Sequence, residues 1–255
     1  MSKISEPAAG ARWFNASEFL SGLRRINLFA GGYGSGKSEI AVNFALSLAE
    51  EGRQVAIADL DIVNPYFRSR EARAVLEARN IRVLMPPVTM METDLPMLGP
   101  EIKGALVNED GYLVLDLGGD PVGAKVMASL RNGINSDNYC GFFVLNSRRP
   151  FSSTVDEVRG MIRGIEGAAG LPITELVVNS HLIDETSAEV IKEGIKLAEG
   201  VSQVTNKPVG FVVVERRMLK EVAPENIPYP VLILDRQLLK PWERAELLGP
   251  KRFKI

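Results

Sequence analysis

Eight residues, GGYGSGKS at positions 31–38, have the types and the spacing of a phosphate-binding loop. Gly31 is followed after four residues by Gly36, Lys37 and Ser38, which is the pattern G-x-x-x-x-G-K-[ST]. Glycines allow the backbone N–H groups of such a loop to turn towards phosphate oxygens, which side chains would obstruct. The predicted nucleotide-binding residues are Gly31, Gly32, Tyr33, Gly34, Ser35, Gly36, Lys37, Ser38 and Glu39.

The surroundings of this loop distinguish it from a glycine-rich turn without a ligand. INLFAGG (26–32) predicts a buried strand, and residues 36–51 predict a helix whose N-terminus favours a bound anion. Lys37 is predicted to act on the β- and γ-phosphates as a catalytic group, and the Ser38 hydroxyl to ligate Mg²⁺. Because the pattern and its strand–helix context agree, the sequence predicts a nucleotide site here.

Two later apolar runs end in aspartates that favour a magnesium site. Asp59 and Asp61 end QVAIADLD (54–61), and Asp116 ends YLVLD. Ligands of open α/β sheets bind at the carboxyl ends of the strands, so we expect these carboxylates beside the loop. We predict that Ser38, Asp59 and Asp116 form the metal site, with Asp116 acting through water.

Two further residues at this edge are assigned to the phosphate chemistry. Gly119, three residues after Asp116, is predicted to offer its N–H group to a γ-phosphate. Asp61 is predicted to be the catalytic residue that orients the attacking water. The alternatives are an ordinary turn aspartate at Asp116, and one helix-capping and one solvated carboxylate at Asp59 and Asp61.

Strand and helix patterns alternate along the chain and indicate its architecture. The strands are continuous apolar runs, which is typical of strands covered on both faces, and helical segments between them indicate βαβ units. The predicted fold class is therefore α/β, a mainly parallel sheet with helices on both faces in the three-layer, Rossmann-like arrangement of P-loop NTPases. The predicted strands lie at 26–32, 54–61, 81–87, 112–119, 141–146, 175–180, 209–215 and 230–235.

Two helix starts carry the spacing of a capping box, in which a hydroxyl and a carboxylate three residues apart satisfy backbone N–H groups. Thr154 and Glu157 predict one such start. Thr186 and Glu189 predict the other, for a helix that is expected to end at Gly200.

The composition is that of an ordinary globular protein. The 255 residues carry a net charge of −2, which provides no electrostatic case for binding to nucleic acid or to an anionic membrane.

We predict a single nucleotide-binding domain over 1–255, with an N-terminal extension at 1–24 and a C-terminal tail at 236–255. No transmembrane segment is expected. The single cysteine, Cys140, is predicted to pack in the core and fits a reducing compartment, so a cytoplasmic location is expected.

The segments GGYGSGKS, VAIADLDIVNP, LVLDLGGD and LVVNS, in this order, resemble the MinD/ParA/CobQ-type (SIMIBI-class) P-loop proteins, the group that includes the nitrogenase iron protein. The resemblance covers roughly residues 25–235. It implies ATP or ADP with Mg²⁺, switch regions at 59–70 and 116–123, and a P-loop strand next to the Asp116 strand. It also implies that Asn179 contacts the adenine. Because no N-K-x-D motif for guanine is present, ATP is preferred over GTP.

One position departs from the pattern of this group. Many members have a second lysine early in the loop that reaches the nucleotide of a dimer partner, and Gly32 stands at that position here. The resemblance therefore leaves a homodimer open. Arg68, in NPYFRSRE after the aspartates, is predicted as a replacement catalytic cation, and Arg70 as a weaker candidate; a solvated helix face is the alternative for both.

Three classes of function remain open from the sequence. The first is a slow, Mg-dependent ATPase that acts as a nucleotide switch for an unknown partner. The second is an ATP-dependent small-molecule kinase or ligase, and the third is a nucleotide-binding module without turnover. The first is favoured because no separate substrate domain and no amidotransferase cysteine triad are evident. The segment 84–100, rich in methionine and proline, is either a partner or substrate surface or simple core packing.

Overall fold

The computed structural model describes residues 12–60, 72–84, 100–107, 110–118, 128 and 131–238. In this part of the chain a nine-stranded sheet runs in the order β1-β9-β8-β7-β6-β2-β5-β3-β4, and all neighbouring strands are parallel except the pair β1 and β9, which is antiparallel. The strands are β1 Trp13–Phe14, β2 Ile26–Ala30, β3 Val55–Asp59, β4 Arg82–Leu84, β5 Tyr112–Asp116, β6 Tyr139–Leu145, β7 Glu175–Val178, β8 Val209–Glu215 and β9 Val231–Leu234.

Helices cover both faces of this sheet. The described helices are α1 Ser17–Ser21, α2 Lys37–Glu50, α3 Arg73–Glu77, α4 Pro100–Val107, α5 Val155–Ala169 and α6 Ala188–Thr205. Successive strand residues fall into two separate hydrophobic clusters: Leu28 and Phe143 lie in one, and Phe29 and Phe142 in the other. This period-2 division confirms the predicted fold class, because each apolar strand packs against helices on both of its faces.

The centre of the sheet positions the loop. Strand β2 pairs with β5 on one side and β6 on the other, and β3 continues the sheet beyond β5. The expected neighbourhood of the P-loop strand and the Asp116 strand is thus present. Polar residues that follow β2, β3, β5, β6 and β7 all emerge at one edge, since these strands run in the same direction.

Helix boundaries followed the sequence in one case and not in the other. Thr154 and Glu157 make both hydrogen bonds of a capping box at the start of α5. At α6 the prediction was wrong by one residue, since Ser187 is the N-cap and accepts from Val190 N. The Thr186 hydroxyl is used in the preceding turn, where it donates to Ile183 O at 2.6 Å.

The predicted end of α6 at Gly200 was also wrong. The helix continues to Thr205 and ends at Asn206, which adopts the left-handed conformation with φ +58°. Gly200 has a packing role instead, because a Cβ there would approach Val155 Cγ2 to 3.0 Å. Glycine at this position allows α6 to lie close to α5.

Part of the predicted N-terminal extension belongs to the sheet. Trp13 and Phe14 pair with Leu232 and Val231 as an antiparallel edge strand. The centroid of the Trp13 ring also lies 5.3 Å from the ring centroids of Phe19 and of Phe211. Among the described residues, no helix is long and apolar enough to cross a membrane.

Candidate functional site

The loop between β2 and α2 has backbone geometry that requires glycine at its ends. Gly36 lies at φ +92° in the left-handed region, and a Cβ there would overlap Asn179 Nδ2. Gly31 has φ +149°, and a Cβ there would lie 2.6 Å from Val144 O. Within the same loop the Tyr33 side chain is 78% exposed, so its ring makes no contribution to the interior of the loop.

The first turn of α2 faces the inside of this loop. Gly36 is the N-cap residue and has no side chain of its own with which to cap the helix. The first N–H groups of a helix have no partner within the helix, and the positive end of the helix dipole is directed at the same point. The beginning of α2 is therefore suited to hold phosphate oxygens.

Lys37 is folded back along the loop. Its side chain is only 5% exposed, and Nζ donates to Gly32 O at 2.9 Å. A buried ammonium held against the loop backbone is close to the space that the loop encloses. Lys37 thus contacts Gly32, the residue that stands where the family pattern has its second lysine.

The two predicted metal-site aspartates are neighbours. Asp59 and Asp116 are cross-strand partners at the carboxyl ends of β3 and β5, and both are fully buried. Neighbouring strands lie about 4.8 Å apart, so two carboxylates are held side by side at this edge. Ser38 is half-buried at the start of α2. Asp61, Arg68, Arg70 and Gly119 lie outside the described residues, so their assignments stay predictions.

Asn179 is in direct contact with the loop. It follows the last residue of β7, is buried, and donates from Nδ2 to Ser35 O at 2.7 Å. The Ser35 hydroxyl is also buried, and within the described part of the chain it has no hydrogen-bond partner. This contact spans 144 residues of sequence and joins the strand end to the phosphate-binding loop.

A cavity of about 200 Å³ opens beside Asn179 and Gly36. Most of its accessible wall is apolar, with a few polar groups, which is the usual lining of a small-molecule pocket. His181 lines this cavity, and burial together with the charges of Arg149 and Arg236 lowers its pKa to about 4, so it is neutral at pH 7. The other lining residues are Glu39, Ser180, Ile183, Thr186, Ile191, Val213, Glu215, Leu234, Arg236 and Leu238.

Glu39 contacts protein backbone in this structure. Its carboxylate accepts from Gln237 N at 2.6 Å and from Leu238 N at 3.0 Å, and burial raises its pKa. The contact fastens the segment after β9 to α2 and so forms one wall of the cavity. No local sequence pattern indicates this wall, and the position of His181 two residues beyond Asn179 is the one signal that places it near the base site.

Cys140 lies in the core, as predicted. Its sulfur is 3.1 Å from Thr174 Oγ1 and 3.4 Å from Glu175 Oε1, and burial raises the pKa of the thiol. Among the described residues, no group of three or more histidine, cysteine, aspartate and glutamate side chains has the arrangement of a metal site.

The parallel sheet, the glycine loop at the start of α2 and the aspartate at the end of the adjacent strand are the features of the P-loop NTPase fold, and they agree with the resemblance to MinD/ParA/CobQ-type proteins. Comparison with known proteins confirms this resemblance. Over 115 residues the chain is 35% identical to an iron–sulfur cluster carrier protein of Escherichia coli (strain K12), which is 45% of this chain and 28% of the relative. Over 122 residues it is 32% identical to the carrier protein of Pseudomonas fragi, which is 38% of this chain and 42% of the relative. The chain thus matches less than half the length of either relative, and no protein-family model matches it.

Solved structures share the fold at low sequence identity. FtsY of Mycoplasma mycoides has a TM-score of 0.51 at 12% identity, covering 84% of this chain and 64% of that structure. FlhF complexed with GTP/Mg²⁺ has a TM-score of 0.50 at 14% identity, covering 74% and 65%. These similarities agree with the observed sheet and helix arrangement.

Proposed function

We propose that this protein binds ATP with Mg²⁺, hydrolyses it slowly, and acts as a nucleotide switch for a partner. The observation that carries the proposal is the meeting of the phosphate-binding loop with the buried Asp59–Asp116 pair at one sheet edge. Phosphoryl transfer depends mostly on positioning and on neutralising charge, and these groups supply both.

The donor set fits Mg²⁺. This ion prefers hard oxygen ligands and keeps several of its waters, so it is held by a hydroxyl and by carboxylates acting directly or through water. Ser38 is the direct ligand in this proposal, Asp116 holds a coordinated water, and Asp59 lies near the ion. When bound, the ion neutralises charge on the β- and γ-phosphate oxygens.

The cavity beside Asn179 supports a purine base, with its apolar walls against the ring and the carboxamide at its edge. ATP is proposed over GTP because residues 179–182 are NSHL, which places Leu182 where the N-K-x-D motif has its guanine-binding aspartate. The neutral His181 accepts from Ile183 N through Nδ1 at 3.3 Å, which leaves its Nε2–H group as a donor for this cavity.

The relatives are named as iron–sulfur cluster carriers, and we do not extend that cargo to this chain. Such clusters are held by several cysteine thiolates. This chain has one cysteine, and its thiol is buried in β6 with a raised pKa, which disfavours the thiolate. The donor set therefore does not fit a cluster. A single buried cysteine agrees with the cytoplasmic location that we propose, and a homodimer stays a prediction.

Replacement of Lys37 with alanine tests the nucleotide site. The change removes the buried charge held against the loop, so ATP affinity is expected to fall by at least about tenfold, or about 1.4 kcal/mol, while the fold is retained. Isothermal titration calorimetry measures the affinity. Lys192→Ala is the matched control, because Lys192 is exposed on α6 and pairs only loosely with Glu189. Equal ATP affinity in wild type and Lys37→Ala would contradict the assignment of the loop.

Competition between ATP and GTP tests the base preference. ATP is expected to bind more tightly than GTP, since Asn179 is present and a carboxylate partner for guanine is absent from residues 179–182. Displacement of a fluorescent ATP analogue by each nucleotide, at the same Mg²⁺ concentration, gives the two affinities. A preference for GTP would overturn the adenine assignment and leave the phosphate site intact.

A further inference from the structure

An arginine from the turn after β6 lies against the phosphate-binding loop. Arg149 Nε donates to Gly34 O at 2.9 Å. Its Nε, Cζ and Cδ atoms lie 3.3–3.6 Å from the position that a Cβ on Gly34 would occupy. The guanidinium therefore packs on the backbone of Gly34, and this packing is close because Gly34 has no side chain.

The turn that carries Arg149 is held in place by its own hydrogen bonds. Ser152 Oγ donates to Asn146 O at 2.7 Å and to Arg149 O at 3.1 Å, and Arg149 N donates to Asn146 O at 3.1 Å. Phe151 in the same turn has φ +62°, which an aromatic residue rarely adopts. Such strain persists only where the surrounding structure enforces it. The backbone from which the Arg149 side chain extends is thus held in place by the turn itself.

The contact with the loop uses one of the N–H donors of the Arg149 guanidinium. Arginine carries five N–H donors, of which the Nε donor is used on Gly34. In the residues described by the structure, Nη1 and Nη2 make no hydrogen bond or ion pair. The adjacent Arg148 differs, because its guanidinium forms an ion pair with Glu193 of α6.

The position of Arg149 relative to the site identifies which part of a nucleotide it faces. Strand β2 separates β5, which carries Asp116, from β6, after which Arg149 emerges. Asn179 and His181 emerge after β7, on the same side as β6. Asn146, at the start of the turn that carries Arg149, donates from Nδ2 to His181 O and accepts from His181 N at Oδ1, each at 3.3 Å, so the two turns are in contact. Arg149 thus lies on the side of the base cavity, away from the carboxylate pair.

We infer that Arg149 is a nucleotide-binding residue: Nε fixes the loop at Gly34, and the terminal nitrogens contact the ribose and α-phosphate of the bound nucleotide. This inference rests on the proposed function. It assigns the arginine to the part that ATP and ADP share, so its contribution to binding is the same for both. A cation directed at the γ-phosphate would favour ATP alone.

The test compares ATP and ADP binding by calorimetry in wild type, Arg149→Ala, Arg149→Lys and the control Arg148→Ala. Arg149→Ala is expected to weaken both nucleotides by about tenfold, close to 1.4 kcal/mol, and to leave their affinity ratio unchanged. Arg149→Lys is expected to recover part of this loss, because lysine retains the charge but not the planar fork. Arg148→Ala is expected to bind as wild type does. Thermal unfolding without nucleotide checks that each variant is folded.

The outcomes separate this inference from the function on which it rests. Loss of ATP affinity alone would overturn it in favour of a γ-phosphate cation, and unchanged affinity for both nucleotides would reduce Arg149 to a support for the turn. Equal losses in Arg148→Ala and Arg149→Ala would also overturn it, as a general charge effect. If wild type binds neither nucleotide, the proposed function fails first, and the inference fails with it.

Discussion

Replacement of Gly36 with alanine is expected to lower nucleotide affinity by at least about 100-fold, or about 2.7 kcal/mol, and to destabilise the fold. Two separate effects act at this position. The backbone has φ +92°, where a Cβ costs about 1–2 kcal/mol, and the added methyl group would overlap Asn179 Nδ2. Relief of the overlap requires movement of Asn179, which breaks its hydrogen bond to Ser35 O. The loop and the base cavity are therefore disturbed together.

Calorimetry with ATP and thermal unfolding without nucleotide measure the two consequences. Gly164→Ala is the matched control, since Gly164 lies within α5 and a Cβ there meets nothing within 4 Å. That change is expected to leave ATP affinity unaltered and to stabilise the protein by up to about 1 kcal/mol. Wild-type ATP affinity in Gly36→Ala would show that bound nucleotide does not require the loop conformation seen here.

Replacement of Asp61 with asparagine is expected to reduce ATP turnover by roughly 100-fold or more while ATP binding persists. Asp61 lies two residues beyond Asp59, which ends β3 at the ligand edge beside Asp116. Asparagine keeps the size and most hydrogen bonds of the side chain but loses its charge and basicity. If Asp61 orients the attacking water, the chemical step is therefore impaired and the affinity is not.

Single-turnover hydrolysis of pre-bound ATP isolates this step from binding and product release. Asp137→Asn is the control, because Asp137 is exposed in the turn that precedes β6, at the opposite edge of the sheet. Arg68→Ala in the same series is expected to slow basal or partner-stimulated hydrolysis with little change in Mg-ATP binding. Hydrolysis at the wild-type rate in Asp61→Asn would identify this aspartate as a structural cap. An absence of turnover in wild type would favour the passive binding module.

Features set by local chemistry were predictable from the chain alone. Glycine spacing, a lysine and a serine between an apolar run and a helical pattern specify the loop at 31–38, because the required backbone angles and N–H groups are local. The parallel fold followed from the continuous apolar strands, and the proximity of Asp59 and Asp116 followed from strand direction. Errors came where neighbouring residues compete for the same role, as Thr186 and Ser187 do at the N-cap of α6.

Only the tertiary structure decided which distant groups complete the site. Asn179 reaches the loop across 144 residues and Arg149 across 115, and Glu39 holds the backbone of Gln237 and Leu238 against α2. None of these contacts has a periodic or short-range signal, because each depends on which strands become neighbours and how closely their turns approach. The sequence by itself determined the phosphate-binding loop and the edge at which it lies. The packing of β6, β7 and β9 around β2 and α2 determined the cavity beside it and the side chains that face it.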